Sequence, residues 1–551
     1  MVNTALNGKA CEQGKDTNIE LLSQIDPASF GDVKGLKEAN CYDVLWKQND
    51  IGAGIILFGP FEFKIGIDKK TKKPYCHIVG VSKLNILEFV RLAGFRKRYL
   101  SDSNIYVMVH THKHIMEEVT IDLIRVETFN EVQRNDSITV VFEDLQFTFH
   151  KDLLLTIYLK NQDQIFNKNF LELMDEFDVP ELADTRELSY FLFTNCIIKV
   201  GKDFTETIPY EKLQELHLCV WRSHITGRAY RPNKTSHESE FAKVVANVAN
   251  QEVKRIKAFR SAFGYLLHNY NGSHMGQVVI FYDEKPTNTR NPQGGTGKGL
   301  LAQGLSFMRE VAKIDGKHFK ADDKFRFQTV KPTSEIVFID DLNKDVPFEV
   351  FFSCSTDGWT IERKFSDTIK LPPQDSPKML FSMNAVVGGN GSSHRRRMFI
   401  LELSDHYSRQ IKTGSEHPIE DEHGILFDRI NWTETEWNAF TQYMIECLAF
   451  YLQYDLQPYD LINVGKNALI QSTGDDFANW VESKDFQLGV YYPTKDLYEE
   501  YKAGAYGDDP AYKQRTFTNS IKRYADIKGW VFKSVSNNTT KLSQFIFSNE
   551  S

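Results

Sequence analysis

The chain has 551 residues, of which 41% are hydrophobic and 25% charged, and it carries a net charge of −8 at pH 7. That length accommodates about three or four domains with cores of their own, and the composition is that of an ordinary soluble globular protein, rich in Phe and Tyr. No apolar run is long enough to span a bilayer and no signal peptide opens the chain, so no membrane partner is expected; the acidic balance leaves any nucleic-acid contact to local basic patches.

The cysteines (Cys11, Cys41, Cys76, Cys196, Cys219, Cys354, Cys447) are scattered without a C-x-x-C pair. This argues for a reducing compartment and against a structural zinc.

In chain order, residues 1–50 are mixed and polar, a loosely attached lead-in. Short apolar runs alternating with turns over 51–80 predict strands, LNILEFVRL (84–92) an amphipathic helix, 104–110 a strand and 119–132 a helix. These make an N-terminal α+β module over 1–135. Its one candidate acid pair, Asp68 with Asp102, has nothing to set it on adjacent strands and reads as surface carboxylates. Residues 136–240 form a mixed helical region with a strand at 138–142, a helix over 153–173 and further apolar runs around Trp221. Arg228, Arg231 and Lys234 are a weak basic cluster, better read as solvated. One or two helices follow over 239–270.

The most informative stretch is 276–299, GQVVIFYDEKPTNTRNPQGGTGKG. An apolar β-branched run (278–282) leads into a polar loop and then Gly294, Gly295, Thr296, Gly297, Lys298 and Gly299, followed by LLAQGLSFMREV (300–311) at helical period. Strand, glycine loop, lysine and helix are the context a phosphate-binding loop needs. Backbone N–H groups and the positive helix end meet the anion, and Lys298 neutralises the β/γ-phosphates of ATP. Against G-x-x-x-x-G-K-[ST], Pro292 takes the first glycine position and Gly299 replaces the hydroxyl residue that ordinarily ligates Mg²⁺.

Downstream, SEIVFIDD (334–341) reads as a buried parallel strand ending in two acids, with Asp340 assigned to Mg²⁺ and Asp341 to orienting the attacking water. KMLFSMN (378–384) repeats the arrangement with Asn384 at its end. After a short loop come Arg395, Arg396 and Arg397 and a strand at 398–403. Between acids and amide, DGWTIERKFSDTIKL (357–371) predicts a hairpin with Lys364, Phe365 and Lys370 near its tip. Cation plus aromatic suits contact with single-stranded DNA; the same residues equally fit an edge hairpin charged against aggregation.

In the tail, 432–469 reads as helical, then 477–480, 494–501 and 516–525 as three helices. Residues 530–534 and 544–547 flank the polar SNNTTK turn as a terminal hairpin. That is a winged-helix order. Arg515, Lys522 and Arg523, with Lys513, Asn519 and Lys528, give the third helix a basic face for phosphates, although winged helices also dock proteins.

GGTGKG, SEIVFIDD, DGWTIERK and FSMN followed by arginines, in this order and spacing, resemble superfamily 3 helicases of the poxvirus/phage primase-helicase type. The likeness covers about 241–408 and extends weakly upstream through SYFLFTNCIIKV and CVWRSHI. With the element readings above, the chain is expected to be multidomain α/β: the resemblance implies a P-loop, AAA+-like ATPase core over 241–410, followed by a helical linker over 411–472 and a winged-helix-like domain over 473–551 read from the tail itself. The resemblance also implies a homo-oligomeric ring, usually hexameric, that hydrolyses ATP with Mg²⁺ between subunits and moves on single-stranded DNA. By the same resemblance Asn384 is the sensor amide, Arg396 or Arg397 the finger reaching a neighbour's nucleotide, and Lys364 a DNA contact. No primase segment is recognisable, so a separate primase or polymerase is the expected partner in phage, plasmid or mobile-element replication. A DNA-associated nucleotide switch that loads a partner without unwinding is the alternative.

Overall fold

The computed structural model describes residues 55–58, 60–100, 105–142, 145–233, 239–272, 276–284, 295–343, 345–364, 368–384, 396–424, 432–461, 464–505, 511–536 and 543–549. It is a mixed α/β chain that packs as two compact units. The first holds residues up to Ala183 with Tyr190–Lys199 and Glu206–Tyr230; the second holds Asp184–Ser189, Val200–Thr205 and the chain from Arg231 onward.

In the first unit the alternation of FEFKIGI turns Phe61, Phe63 and Ile65 inward from the strand Phe61–Ile67. It pairs antiparallel with Ile55–Phe58 and Pro74–Val81. The helix Lys83–Leu92 begins where the Ser82 hydroxyl accepts the Asn85 N–H, and buries Ile86, Phe89 and Val90. Ile138, Val140 and Leu154 share one core with Phe61, Ile124 and Val132. Asp68 closes its own turn, its Oδ1 accepting the N–H groups of Lys70 and Thr71 at 2.9 and 2.7 Å. Asp102 and Lys234 lie outside the described residues.

The second unit is built on a five-stranded sheet of β1 (Val278–Asp283), β2 (Val311–Asp315), β3 (Ile336–Asp340), β4 (Lys378–Met383) and β5 (Met398–Leu403). Its order is β2-β3-β4-β1-β5 and every pairing is parallel. Strands covered on both faces read as continuous apolar runs, as VVIFY and IVFI do. Around the sheet lie α1 (Glu240–Val248), α2 (Val253–Leu267), α3 (Lys298–Ser306), α4 (His406–Lys412), α5 (Pro418–His423) and the long α6 (Glu434–Tyr454). Helices α2 and α6 cross so closely at Gly264 that a Cβ there would stand 2.1 Å from the Cys447 carbonyl oxygen.

Three sequence expectations are corrected. The helix expected over 153–173 runs over Lys151–Ile165 and is broken at Phe166, with only the short helix Lys168–Leu171 beyond it. The helix expected over 300–311 stops at Ser306, and Val311 instead opens β2. Phe307 and Met308 are buried in the intervening turn, so the apolar spacing continues while the helix does not. The helix expected over 432–469 is broken after Tyr454, where Asp455 takes a positive φ of 54°. The chain resumes helix at α7 (Val464–Thr473).

The hairpin strands are Trp359–Ile361 and Ile369–Leu371, antiparallel. In the tail, α8 (Asp475–Glu482), α9 (Thr494–Ala505) and α10 (Gln514–Lys528) accompany a sheet of β6 (Tyr491–Pro493), β7 (Trp530–Ser536) and β8 (Ser543–Asn549), order β6-β8-β7. Phe477, Phe486, Tyr501, Phe517, Tyr524, Phe545 and Phe547 are its core. The short β6 was not visible in the sequence.

Candidate functional site

The site forms at the C-terminal ends of β1, β3 and β4, where parallel strands deliver their last side chains to one edge. Gly295 and Gly297 take φ of +105° and +98°, a region glycine enters without steric cost. At Gly295 the close packing is a second reason: a Cβ would lie 2.3 Å from Ile411 Cδ1. Gly297 caps α3, which leaves Lys298 as its first residue. The first amides of α3 have no carbonyl partners within the helix, and its dipole is positive there.

Lys298 Nζ donates to Asp283 Oδ2 at 2.8 Å, to the Met383 carbonyl at 3.1 Å and to Asn384 Oδ1. Asn384 in turn donates from Nδ2 to Asp341 Oδ1 at 3.1 Å. One chain of contacts therefore joins the ends of β1, β4 and β3. Ser382, fully buried in β4, couples the two acids. Its Oγ donates to Asp340 Oδ1 and accepts the Asp341 N–H, both at 2.7 Å. Asp341 itself sits at φ 54°, a conformation uncommon outside glycine that the Ser382 and Asn384 contacts hold in place.

Both acids carry lysine counter-charges. Lys313 Nζ is 2.7 Å from Asp340 Oδ2, and Lys317 Nζ is 3.1 Å from Asp341 Oδ2. Burial works to raise the Asp340 carboxyl, but the Lys313 ammonium and the Ser382 hydroxyl outweigh it and hold the group below its ordinary range. The hydrogen bond and charge of Asp341 raise the Lys317 ammonium.

Beside these groups opens a cavity of about 480 Å³, lined on one side by Gly295–Leu300 with Asp340 and Asp341. The other side is Ile411 of α4 and the 416–420 segment entering α5. A volume of that order suits a nucleotide-sized ligand. At Gly299 a Cβ would meet nothing within 4 Å, so the missing hydroxyl is not forced by space.

The structure thus brings together Gly295, Thr296, Gly297, Lys298, Gly299, Asp340, Asp341 and Asn384. Sequence reasoning missed Asp283, Ser382, Lys313 and Lys317. The only signals were a lone acid closing VVIFY and a lone hydroxyl inside KMLFSM; the lysines had none.

Arg396 and Arg397 lie elsewhere. They directly precede β5, and the Arg396 carbonyl accepts from the Gln277 side chain at 3.0 Å, just before β1 begins. A strand's length, roughly 20 Å at 3.3 Å per residue, separates them from the Lys298 end. The Arg397 guanidinium stands 4.7 Å from the Phe352 ring centroid.

Lys364 and Lys370 are exposed on the hairpin, with Lys364 Nζ 5.8 Å from the Phe325 ring centroid. Arg515, Lys522 and Arg523 are exposed on α10, while Phe517, Ile521 and Tyr524 bury its other side. Gly294, Phe365 and Arg395 lie outside the described residues. Among the described residues no helix is long and apolar enough to cross a membrane, and no cluster of three or more His, Cys, Asp or Glu side chains is disposed to hold a metal.

No family model matches the chain, and no curated protein does. Among solved structures, the chain is similar to the apo C-terminal region of NrS-1 at 14% identity and TM-score 0.30, covering 66% of this chain and 97% of that one. It is also similar to the Drosophila ORC bound to DNA at 10% identity and TM-score 0.16, covering 59% and 92%. Likenesses this slight carry no weight.

Proposed function

We propose that this chain is an ATP-driven ring helicase or translocase acting on single-stranded DNA in the replication of a phage, plasmid or mobile element. The observation that carries this reading is the convergence of three strand ends on Lys298, with Asn384 linking that lysine to Asp341 beside the cavity.

In this reading the glycine-loop amides, the start of α3 and Lys298 bind the phosphates of ATP. The donor set fits Mg²⁺: two carboxylates border the cavity and Gly299 offers no hydroxyl, which matches an ion that keeps several waters and takes few protein ligands. Asp340 would hold it, and its charge would neutralise the β- and γ-phosphates. Asp341 orients the attacking water and accepts its proton. Asn384, touching both Lys298 and Asp341, distinguishes ATP from ADP. Arg396 and Arg397, a strand length from their own Lys298, act on a neighbouring subunit's γ-phosphate, where a guanidinium stabilises the charge that develops on its oxygens.

The DNA contacts of this reading are Lys364, Phe365 and Lys370 at the hairpin, and Arg515, Lys522 and Arg523 on the winged-helix-like tail. The test is ATP turnover with Mg²⁺, with and without single-stranded DNA, alongside displacement of a labelled strand from a forked duplex. DNA-stimulated turnover with strand displacement is expected. Turnover without displacement or movement leaves the switch protein; no turnover and no nucleotide binding overturn the reading.

A further inference from the structure

Lys298 is already fully engaged. Asp283, Met383 and Asn384 together accept as many hydrogen bonds as an ammonium can donate. One of these partners stands apart. Asp283 is almost wholly buried at the end of β1, and both its carboxylate oxygens are used on the glycine loop. Oδ2 accepts from Lys298 at 2.8 Å and Oδ1 from the Thr296 hydroxyl at 2.6 Å.

A carboxylate bonded at once to the lysine and to a hydroxyl of a phosphate-binding loop makes contacts of the kind a phosphate oxygen would make. The carbonyl of Met383 and the amide of Asn384 are neutral and can share Lys298 with a phosphate. Asp283 carries the same sign of charge as the incoming ligand, so it competes for the lysine and repels the ligand.

We propose that Asp283 is an internal stand-in for phosphate that holds Lys298 and Thr296, so that nucleotide binds by displacing it. This rests on the nucleotide-binding reading above. Two consequences follow. Affinity for ATP and ADP is lower than the loop alone would give, because part of the phosphate interaction replaces an existing charge-assisted bond. ADP release is helped by a carboxylate waiting to retake the lysine. Asp283 is thus a positioning residue that acts through Lys298.

The experiment measures ATP and ADP affinity by isothermal titration on the full chain, comparing the wild type, Asp283→Asn and Asp283→Ser, with Lys298→Ala as control. Asp283→Asn keeps the size and one acceptor oxygen while removing the charge and replacing the other acceptor by an amide donor; Asp283→Ser covers the case in which the amide misfolds. Both should bind nucleotide more tightly, by roughly tenfold, as expected for relieving one charge-assisted hydrogen bond, with slower ADP release in stopped flow. A carboxylate serving only to brace the loop would do the opposite, its loss loosening Thr296 and weakening binding. Equal or weaker affinity in the folded variants overturns the proposal while leaving nucleotide binding intact. Absence of binding in the wild type, with Lys298→Ala indistinguishable from it, overturns the nucleotide reading itself.

Discussion

At the scale of single residues, the proposed function predicts that binding and turnover can be separated. Under the proposed function Lys298 meets the phosphates, so Lys298→Ala should lower ATP affinity by on the order of a hundredfold, the cost of losing a charge-assisted contact in a partly enclosed site. Asp341→Asn should keep affinity within a few fold and lose turnover by about a hundredfold or more, the range for a group that accepts a proton in the transition state. Robust turnover in Lys298→Ala would refute the assignment. Gly299 gives a sharper test, because a Cβ there enters open space. Gly299→Ser should fold normally, be slightly favoured in the first turn of α3, and hydrolyse ATP at least as fast as the wild type. If it abolishes activity, the loop needs glycine for a reason other than space.

At the scale of elements, the sheet is anchored at the end opposite the site by buried charge. Arg309, just after α3, lies 3.1 Å from Glu335 before β3 and 3.7 Å from Asp184. Lys378, opening β4, donates to the Tyr265 carbonyl at 2.7 Å. Burial pushes the Lys378 ammonium down to about 7, with Asp184 pulling it up and Arg309 pushing it further down. The folded state therefore binds fewer protons than the unfolded one between about pH 7 and the ordinary lysine range near 10.4, and wild-type stability gains with rising pH there. Lys378→Met should accordingly lose its advantage, or widen its deficit, relative to wild type as pH rises from 7 to 10 in denaturant titrations. A difference independent of pH would show that Lys378 is not the titrating group. The α2–α6 crossing makes a second prediction. Gly264→Ala must push the helices apart against the Cys447 backbone, and should destabilise by about 1–3 kcal/mol, the usual cost of overpacking; an unchanged Tm would deny that the crossing is tight.

At the scale of the whole molecule, the proposed function makes hydrolysis depend on assembly through Arg396 and Arg397. Arg396→Ala or Arg397→Ala subunits should bind ATP normally yet turn it over poorly as a pure population. Mixed with Lys298→Ala subunits they should recover part of the activity, because some interfaces then join an intact loop to an intact finger. If neither arginine variant loses turnover, or mixing recovers nothing, the shared site is wrong and the switch reading gains. Removing residues 475–551 should weaken duplex binding and its steep salt dependence while sparing ATP turnover.

The sequence by itself determined the elements whose chemistry is local. VVIFY, IVFI and KMLF declared buried strands because both of their faces are covered. The glycines before Lys298 declared a loop because only glycine reaches positive φ cheaply, and the polar residues closing those strands marked the edge where a site forms. Tertiary structure alone decided strand order, and with it which strand ends meet. Asp283 and Asn384 are a hundred residues apart along the chain and share one ammonium only because β1 lies beside β4. Ser382 interrupts an apolar run in the sequence, and only the pairing of β3 with β4 places it between Asp340 and Asp341. The turn at Phe307 and the break at Asp455 were hidden because burial, which controls apolar spacing, continues through a change of backbone direction. Contacts between charges distant in sequence leave no periodic mark, and packing alone brings them together.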